Sequence, residues 1–270
     1  MNRIAFLWSA TSGVAPLLLK SLISAREAGI DPGDMYVLHL DSGLADILQR
    51  EGIRTNPLQL TNDHRTGRAR EFDLYHAFGT PQFNRICFVR YQAIHLLLES
   101  GFDAVLNVDA DILFLENPFN DLVHQSPYAP DAMLMQNDSG EWDDRRAAMR
   151  PAKGESVMVE NLCPGFSLWR NRPEHKSFMI GIYNTGWNGD WAQSDQDIIN
   201  GAKDRFAGDI QILPAFKYPN GAYFMQFLDA TFASGPFIFH ANWVIGLERK
   251  LSLMDYVARS KTRAKPRLAQ

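Results

Sequence analysis

The chain has 270 residues, of which 46% are hydrophobic and 21% charged; that fits one large domain or two small ones, long enough to bury about three quarters of the surface exposed on unfolding. The 17 Phe, 6 Trp and 8 Tyr exclude disorder and collagen-like repetition. With 27 Lys+Arg against 31 Asp+Glu, the net charge of −4 excludes a chain-wide basic field for nucleic acid.

Met1-Asn2-Arg3 and the short apolar run Ile4 to Trp8 are too brief for a signal-peptide core. The run reads as a strand that ends in the polar turn Ala10-Thr11-Ser12-Gly13. Leu17, Leu18, Leu22 and Ala25 then recur at helical spacing until Gly29. Asp31-Pro32-Gly33-Asp34 is a turn, and Met35 to Leu40 is a second strand. A short helix to Arg50 and a strand around Ile53 follow. Phe83 to Ser100 is the clearest helix, with Ile86, Val89, Ala93, Ile94, Leu97 and Leu98 as its apolar stripe and Gly101 at its end. Ala104 to Val108 is a strand with acidic residues at its carboxyl end. This β-α-β-α order predicts an α/β layer fold with a mostly parallel, right-handed sheet, whose ligands sit beyond the carboxyl ends of the strands.

The second half is less regular. Ala132 to Gln136 and Phe166 to Trp169 read as strands, with a polar stretch from Asn137 to Glu160 between them that reads as a loop or lid. Asp195 to Ala202 reads as a helix and Pro236 to Phe239 as a strand. With no linker composition or internal repeat, a single domain over 1–270 is expected. The basic C-terminus (Arg249, Lys250, Arg259, Lys261, Arg263, Lys265, Arg267) is a solvated helix end, or a weak contact with anionic lipid head groups. Two cysteines, Cys87 and Cys163, are too few for a disulfide framework and point to a reducing compartment. No apolar run approaches the ~20 residues needed to cross a bilayer. The expectation is a cytoplasmic protein, with peripheral membrane contact as the one alternative.

Chemistry concentrates in Asn107-Val108-Asp109-Ala110-Asp111-Ile112. An apolar strand has no cheap reason to end in two carboxylates, whose desolvation costs several kcal/mol each, of order the penalty for an unpaired buried ion. A divalent cation offsets that cost. In extended chain Asp109 and Asp111 point to one side, and two hard carboxylates suit Mg²⁺ or Mn²⁺. The plainer reading is that they cap a turn. His240 ends a second apolar strand and can complete a metal site as a neutral imidazole. Beyond Gly246, Lys250 can reach diphosphate oxygens as a point charge, or simply belong to the basic run. Asp195-Gln196-Asp197 opens a helix after Trp187 and Trp191; these polar groups and rings can hold a sugar, or Ser194 and the acids can serve as helix caps. Cys163-Pro164-Gly165-Phe166 is a tight strand entry, ordinary turn chemistry unless a group approaches Gly165 closely.

Taken in order, these segments resemble the GT-A fold nucleotide-diphospho-sugar transferases, in particular the group that includes plant arabinosyl- and xylosyltransferases. The likeness rests on Ala10-Thr11-Ser12-Gly13, Arg90 on the helix before the acidic strand, and Asp109-Ala110-Asp111 running to Glu116-Asn117-Pro118. It continues through Gly165-Phe166, Asp195-Gln196-Asp197, and His240-Ala241-Asn242-Trp243 leading to Gly246 and Lys250. It implies a Rossmann-like mixed central sheet flanked by helices. Residues 1–120 would form a nucleotide-binding half, 121–250 a donor-sugar and acceptor half, and 251–270 a C-terminal helix and basic tail. The implied activity is metal-dependent transfer from a nucleotide-sugar donor, usually a UDP-sugar, to a glycan, lipid-linked or protein acceptor, with retention of configuration as in related families. Asp109, Asp111 and His240 would hold Mn²⁺ or Mg²⁺, and Lys250, with Gly246, would meet the diphosphate. Thr11 and Ser12 would touch the nucleotide. Arg90 would bind the donor sugar or steady an aspartate, while Asp195 and Gln196 would line the sugar, with Asp195 as nucleophile or orienter.

Three features depart from the pattern. Residues 137–160 carry no matching motif, the His240-to-Lys250 gap is wider than in glycogenin-like relatives, and the chain starts at the first strand where Golgi members carry an anchor. Two other readings compete. A haloacid-dehalogenase-type phosphohydrolase would use Asp109 as nucleophile and Asp111 as general acid, although that motif normally opens a chain. A binding module could keep the fold without turnover.

Overall fold

The structure is a computed structural model that describes residues 3–58, 76, 79–124, 127–139, 161–228, 232 and 234–264. Strand β1 (Ile4–Ala10) pairs in parallel with β2 (Met35–His39) on one side and β4 (Ala104–Val108) on the other, and β3 (Asn56–Leu58) extends β2 in parallel. β7 (Leu162–Arg170) runs antiparallel to both β4 and β6 (Met133–Asn137), and β8 (Ile210–Leu213) adds in parallel to β6. The seven-stranded order is β3-β2-β1-β4-β7-β6-β8. The sheet is therefore mixed: β7 alone runs against its neighbours. The carboxyl ends of β1, β2, β4 and β6 thus share one edge with the amino end of β7, and the polar side chains discussed below lie along it.

β1 is hydrophobic without alternation because both its faces are covered. Ile4, Phe6, Trp8 and Ala10 pack with helices α1 (Ala15–Glu27) and α2 (Ser42–Arg50) on one face. Ala5 and Leu7 face α3 (Pro81–Glu99), α4 (Pro173–Asn188) and α5 (Asp195–Ala202) on the other. Capping fixes where these helices begin. Asp41 accepts from Leu44 N at 3.0 Å, and Thr80 accepts from Phe83 N at 3.2 Å ahead of Pro81.

The expected strand around Ile53 lies instead at β3. Ile53 is consumed in ending α2: its N–H bonds Leu48 O at 3.0 Å and Gly52, at φ +65°, bonds Gln49 O at 3.1 Å, a Schellman stop. The strand expected at Phe166–Trp169 is longer, as β7. That expected at Pro236–Phe239 is displaced to β9 (Ile238–His240), which pairs antiparallel with the short β5 (Ile112–Phe114). Helices α6 (Gly221–Gln226) and α7 (Leu247–Ala264) complete the described elements used below. Among the described residues no helix is long and apolar enough to cross a membrane. Of the stretch expected to form a lid, only Asn137, Asp138 and Ser139 are described; the rest lies outside the described residues.

Candidate active site

Asp109 leaves β4 and its N–H bonds Gly165 O on β7 at 2.7 Å. The chain then turns, with Ile112 N donating to Asp109 O at 3.2 Å. The extended spacing expected of Asp109 and Asp111 is thus replaced by a turn, and their carboxylates converge through tertiary pairing. That pairing is the β5–β9 ladder, which sets Ile112 opposite His240, while Ala241 N bonds Asp111 O at 3.0 Å. The ladder brings the imidazole, 129 residues from Asp111 in the chain, to 3.3 Å from Asp111 Oδ1 and 3.9 Å from Asp109 Oδ2.

Around these three, charges alternate. Lys250 Nζ, on α7, lies 2.5 Å from Asp111 Oδ2. Arg90 Nη1, on α3, donates to Asp109 Oδ1 at 2.8 Å, and its Nε lies 3.7 Å from Asp195 Oδ2 and donates to Cys87 O at 2.8 Å. Arg90, Asp111, Asp195 and His240 are all buried. Burial works against the Asp111 carboxylate, but Lys250 and His240 outweigh it and hold its pKa below the usual carboxylate range. Burial opposes the His240 cation too, yet Asp111 and then Asp109 raise its pKa. Burial dominates at Asp195, whose pKa rises despite Arg90 and the 2.8 Å hydrogen bond from Tyr91 Oη.

Gly165 has a steric reason. A Cβ there would overlap the Asp109 carboxylate and come within 2.9 Å of His240 Cε1. Only glycine lets β7 pass behind both groups. Gly221 meets the same constraint beside the β9 exit, where a Cβ would collide with Asn242 O.

The ligand atoms of Asp109, Asp111 and His240 lie within 4.8 Å of one another. Two hard carboxylates and an imidazole suit Mn²⁺ or Mg²⁺, and the close passage of Gly165 keeps side-chain bulk out from between Asp109 and His240. This donor set fits a divalent cation.

The family described as nucleotide-diphospho-sugar transferase matches residues 37–254. The chain belongs to that family. It is a glycosyltransferase, and the phosphohydrolase alternative falls. Solved structures share the GT-A fold. A glycosyltransferase involved in glycosylation of the major capsid of PBCV-1 is 9% identical, with a TM-score of 0.55, covering 94% of this chain and 98% of the other. Apo mouse xyloside xylosyltransferase 1 is 12% identical (TM-score 0.54, 91% and 99% covered). Galactosyltransferase LgtC, in complex with donor and acceptor sugar analogues, is 15% identical (TM-score 0.54, 93% and 95% covered). A comparison with curated protein sequences finds no match.

In this nucleotide-diphospho-sugar transferase, the segments singled out in the sequence meet along one sheet edge. Arg90 steadies an aspartate, Asp109, and Lys250 meets Asp111 despite its longer spacing from His240. Thr11 and Ser12 follow β1, where Ser12 N donates to Asp41 Oδ2 at 2.5 Å. Gly246, at φ +98°, precedes α7 and accepts from Lys250 N at 3.1 Å. Ser194 and Asp197 form a capping box, so Asp197 is a cap. Gln196 Nε2 instead reaches Asp138 Oδ2 at 2.8 Å. The expected sugar platform at Trp191 is corrected: its ring is buried between Phe88, Tyr183 and Trp187 and belongs to the core. Trp187 is one-third exposed, at 36%, and rests edge-on against Trp191.

Asp138, immediately after β6, was hidden in the polar stretch beyond that strand. It is buried and also accepts from Asn242 Nδ2 at 2.5 Å and Trp243 Nε1 at 2.9 Å, tying the β9 exit to α5. Burial raises its pKa against these three donors. The signal was the one that exposed Asp109, an acid closing an apolar strand. Trp243 holds φ +62°, a left-handed conformation that costs a bulky residue of order 1–3 kcal/mol and that its bond to Asp138 helps to hold.

Proposed function

We propose that this glycosyltransferase moves a sugar from a UDP-sugar to a glycan, lipid-linked or protein hydroxyl, with Mn²⁺ or Mg²⁺ held by Asp109, Asp111 and His240. The observation that carries the reading is the convergence of those ligand atoms within 4.8 Å. The bound cation would supply positive charge for the donor diphosphate and its leaving group.

The remaining roles fall to the chain's own side chains. Arg90, itself buried, fixes the half-buried Asp109 through a 2.8 Å ion pair, so that carboxylate has one orientation. Lys250 adds a cation beside Asp111 where diphosphate charge would develop, and Gly246 gives the turn that lets α7 begin there. Thr11 and Ser12 occupy the carboxyl edge of β1, where nucleotides bind in α/β sheets. Asp195 and Gln196 line the donor sugar. Both Asp195 oxygens already accept a hydrogen bond, one from Tyr91 Oη and one from Gln196 N at 2.9 Å. That arrangement suits a carboxylate that orients sugar hydroxyls better than one that attacks. Retention of configuration is carried by the family resemblance, and the anomeric signal of the product tests it.

The deciding experiment follows donor consumption across a panel of UDP-sugars with and without Mn²⁺. Release of UDP that needs the metal is expected; nucleotide binding without any release would favour a non-catalytic module.

A further inference from the structure

Gln136 is fully buried at the end of β6. As β6 advances from Met135 to Gln136, its partner on β7 jumps from Ser167 to Cys163. Pro164, Gly165 and Phe166 are left without a β6 partner, and such irregularities re-aim side chains next to active sites. A buried amide must satisfy both of its ends. Gln136 Nε2 donates to Tyr218 O at 3.0 Å, and Oε1 lies 2.7 Å from His240 Nδ1. Flipping the amide would set its carbonyl against the carbonyl of Tyr218.

Tyr218 does not yield easily. Its N–H bonds Pro214 O at 2.9 Å, its hydroxyl donates to Asp121 at 2.8 Å, and its ring packs on Phe166 and Phe237. The next residue, Pro219, accepts from His240 N at 3.2 Å, so both ends of the relay are anchored to one segment. With Oε1 facing it at 2.7 Å, Nδ1 must carry a hydrogen; a bare Nδ1 would oppose lone pair to lone pair. Cys163 Sγ, at 4.0 Å, is too distant to compete. In the neutral ring Nε2 then presents its lone pair, and it does so toward Asp111 Oδ1 and Asp109 Oδ2. A lone pair among carboxylate oxygens is unfavourable by itself and is satisfied by a cation.

We propose that Gln136 is a positioning residue that holds His240 in its Nδ1–H tautomer and so keeps Nε2 as the donor atom for a divalent cation. The inference rests on the metal site proposed above.

Nitrogen NMR of ¹⁵N-histidine-labelled, metal-free protein at alkaline pH, where the ring keeps one proton, should find that proton on Nδ1. Gln136→Met keeps the length and removes the acceptor. It should move the proton to Nε2, against Asp111, and weaken Mn²⁺ binding in the presence of UDP, followed by electron paramagnetic resonance, by about 10–100-fold. Gln136→Glu should restore both, because a carboxyl oxygen at the same reach still accepts from Nδ1. An Nε2–H ring in the wild-type protein overturns the proposal without any variant. An unchanged tautomer and Mn²⁺ affinity in Gln136→Met overturn it while leaving the metal site standing. Failure of the wild type to bind Mn²⁺ with UDP overturns the metal reading and the proposal together.

Discussion

Asp195 and Asp111 lie toward opposite ends of one chain of side chains that runs Asp195, Arg90, Asp109, His240, Asp111, Lys250. The fold treats the two carboxylates in opposite ways. At Asp111 two basic groups outweigh burial and the carboxylate is held ionised. At Asp195 burial outweighs Arg90 and Tyr91, and proton binding is favoured relative to a free acid. Asp138, beside Gln196, resembles Asp195: its donors are the neutral Gln196, Asn242 and Trp243, and burial raises its pKa. Similar acids on one sheet edge are thereby divided in the charge they favour.

Substitutions can break that division. Asp111→Asn should have the largest effect, a loss of several kcal/mol of transition-state stabilisation, on the order of a thousandfold in metal-dependent turnover, read from donor-consumption kinetics over an Mn²⁺ titration. Asp195→Asn should lower kcat by on the order of a hundredfold, as misoriented reactants do, while calorimetric Mn²⁺ affinity stays put. Equal loss of Mn²⁺ affinity in both variants would end the distinction between the two sites. Gly165→Ala should cost about 1–3 kcal/mol by overpacking, read by urea unfolding, and weaken Mn²⁺ binding because the new methyl displaces Asp109 or His240.

The smallest effect sharpens the contrast from outside the site. His175 is buried on α4, accepts from Arg170 N at 3.0 Å, and has its pKa pushed down to about 4, chiefly by burial. The unfolded chain binds this proton more readily, so stability is present above pH 6.5 and is lost as pH falls toward 4. Each pH unit in that window costs up to about 1.4 kcal/mol. His175→Asn, which offers an oxygen to Arg170 N, should flatten the stability–pH curve across that window.

Most of the first-half fold was legible because its elements are built locally. The apolar runs of β1, β2 and β4 and the capped, striped α3 carry their own signals. Ile53 misled because the end of a Schellman stop and the start of a strand both call for an apolar residue after glycine. In the second half the sheet closes through long-range pairs. The reversed β7 and the three-residue ladder of β5 with β9 have short, ambiguous signatures. Trp191 misled for a related reason: an aromatic beside polar residues looks the same whether it meets a sugar or Phe88. Asp138 and Gln136 went unread because their meaning depends on partners such as Gln196, Asn242 and His240, more than fifty residues away.

The sequence by itself determined which residue types gather at strand ends, since hydrophobic periodicity and unpaired carboxylates are properties of neighbours along the chain. It also carried the order of motifs that marks a nucleotide-diphospho-sugar transferase. Tertiary structure alone decided that Asp109 and Asp111 meet through a turn, that Lys250 reaches Asp111 from α7, and that Gly165 must lack a side chain. Those facts depend on distances between segments far apart in the chain, and the balance of burial against neighbouring cations then separates Asp111 from Asp195.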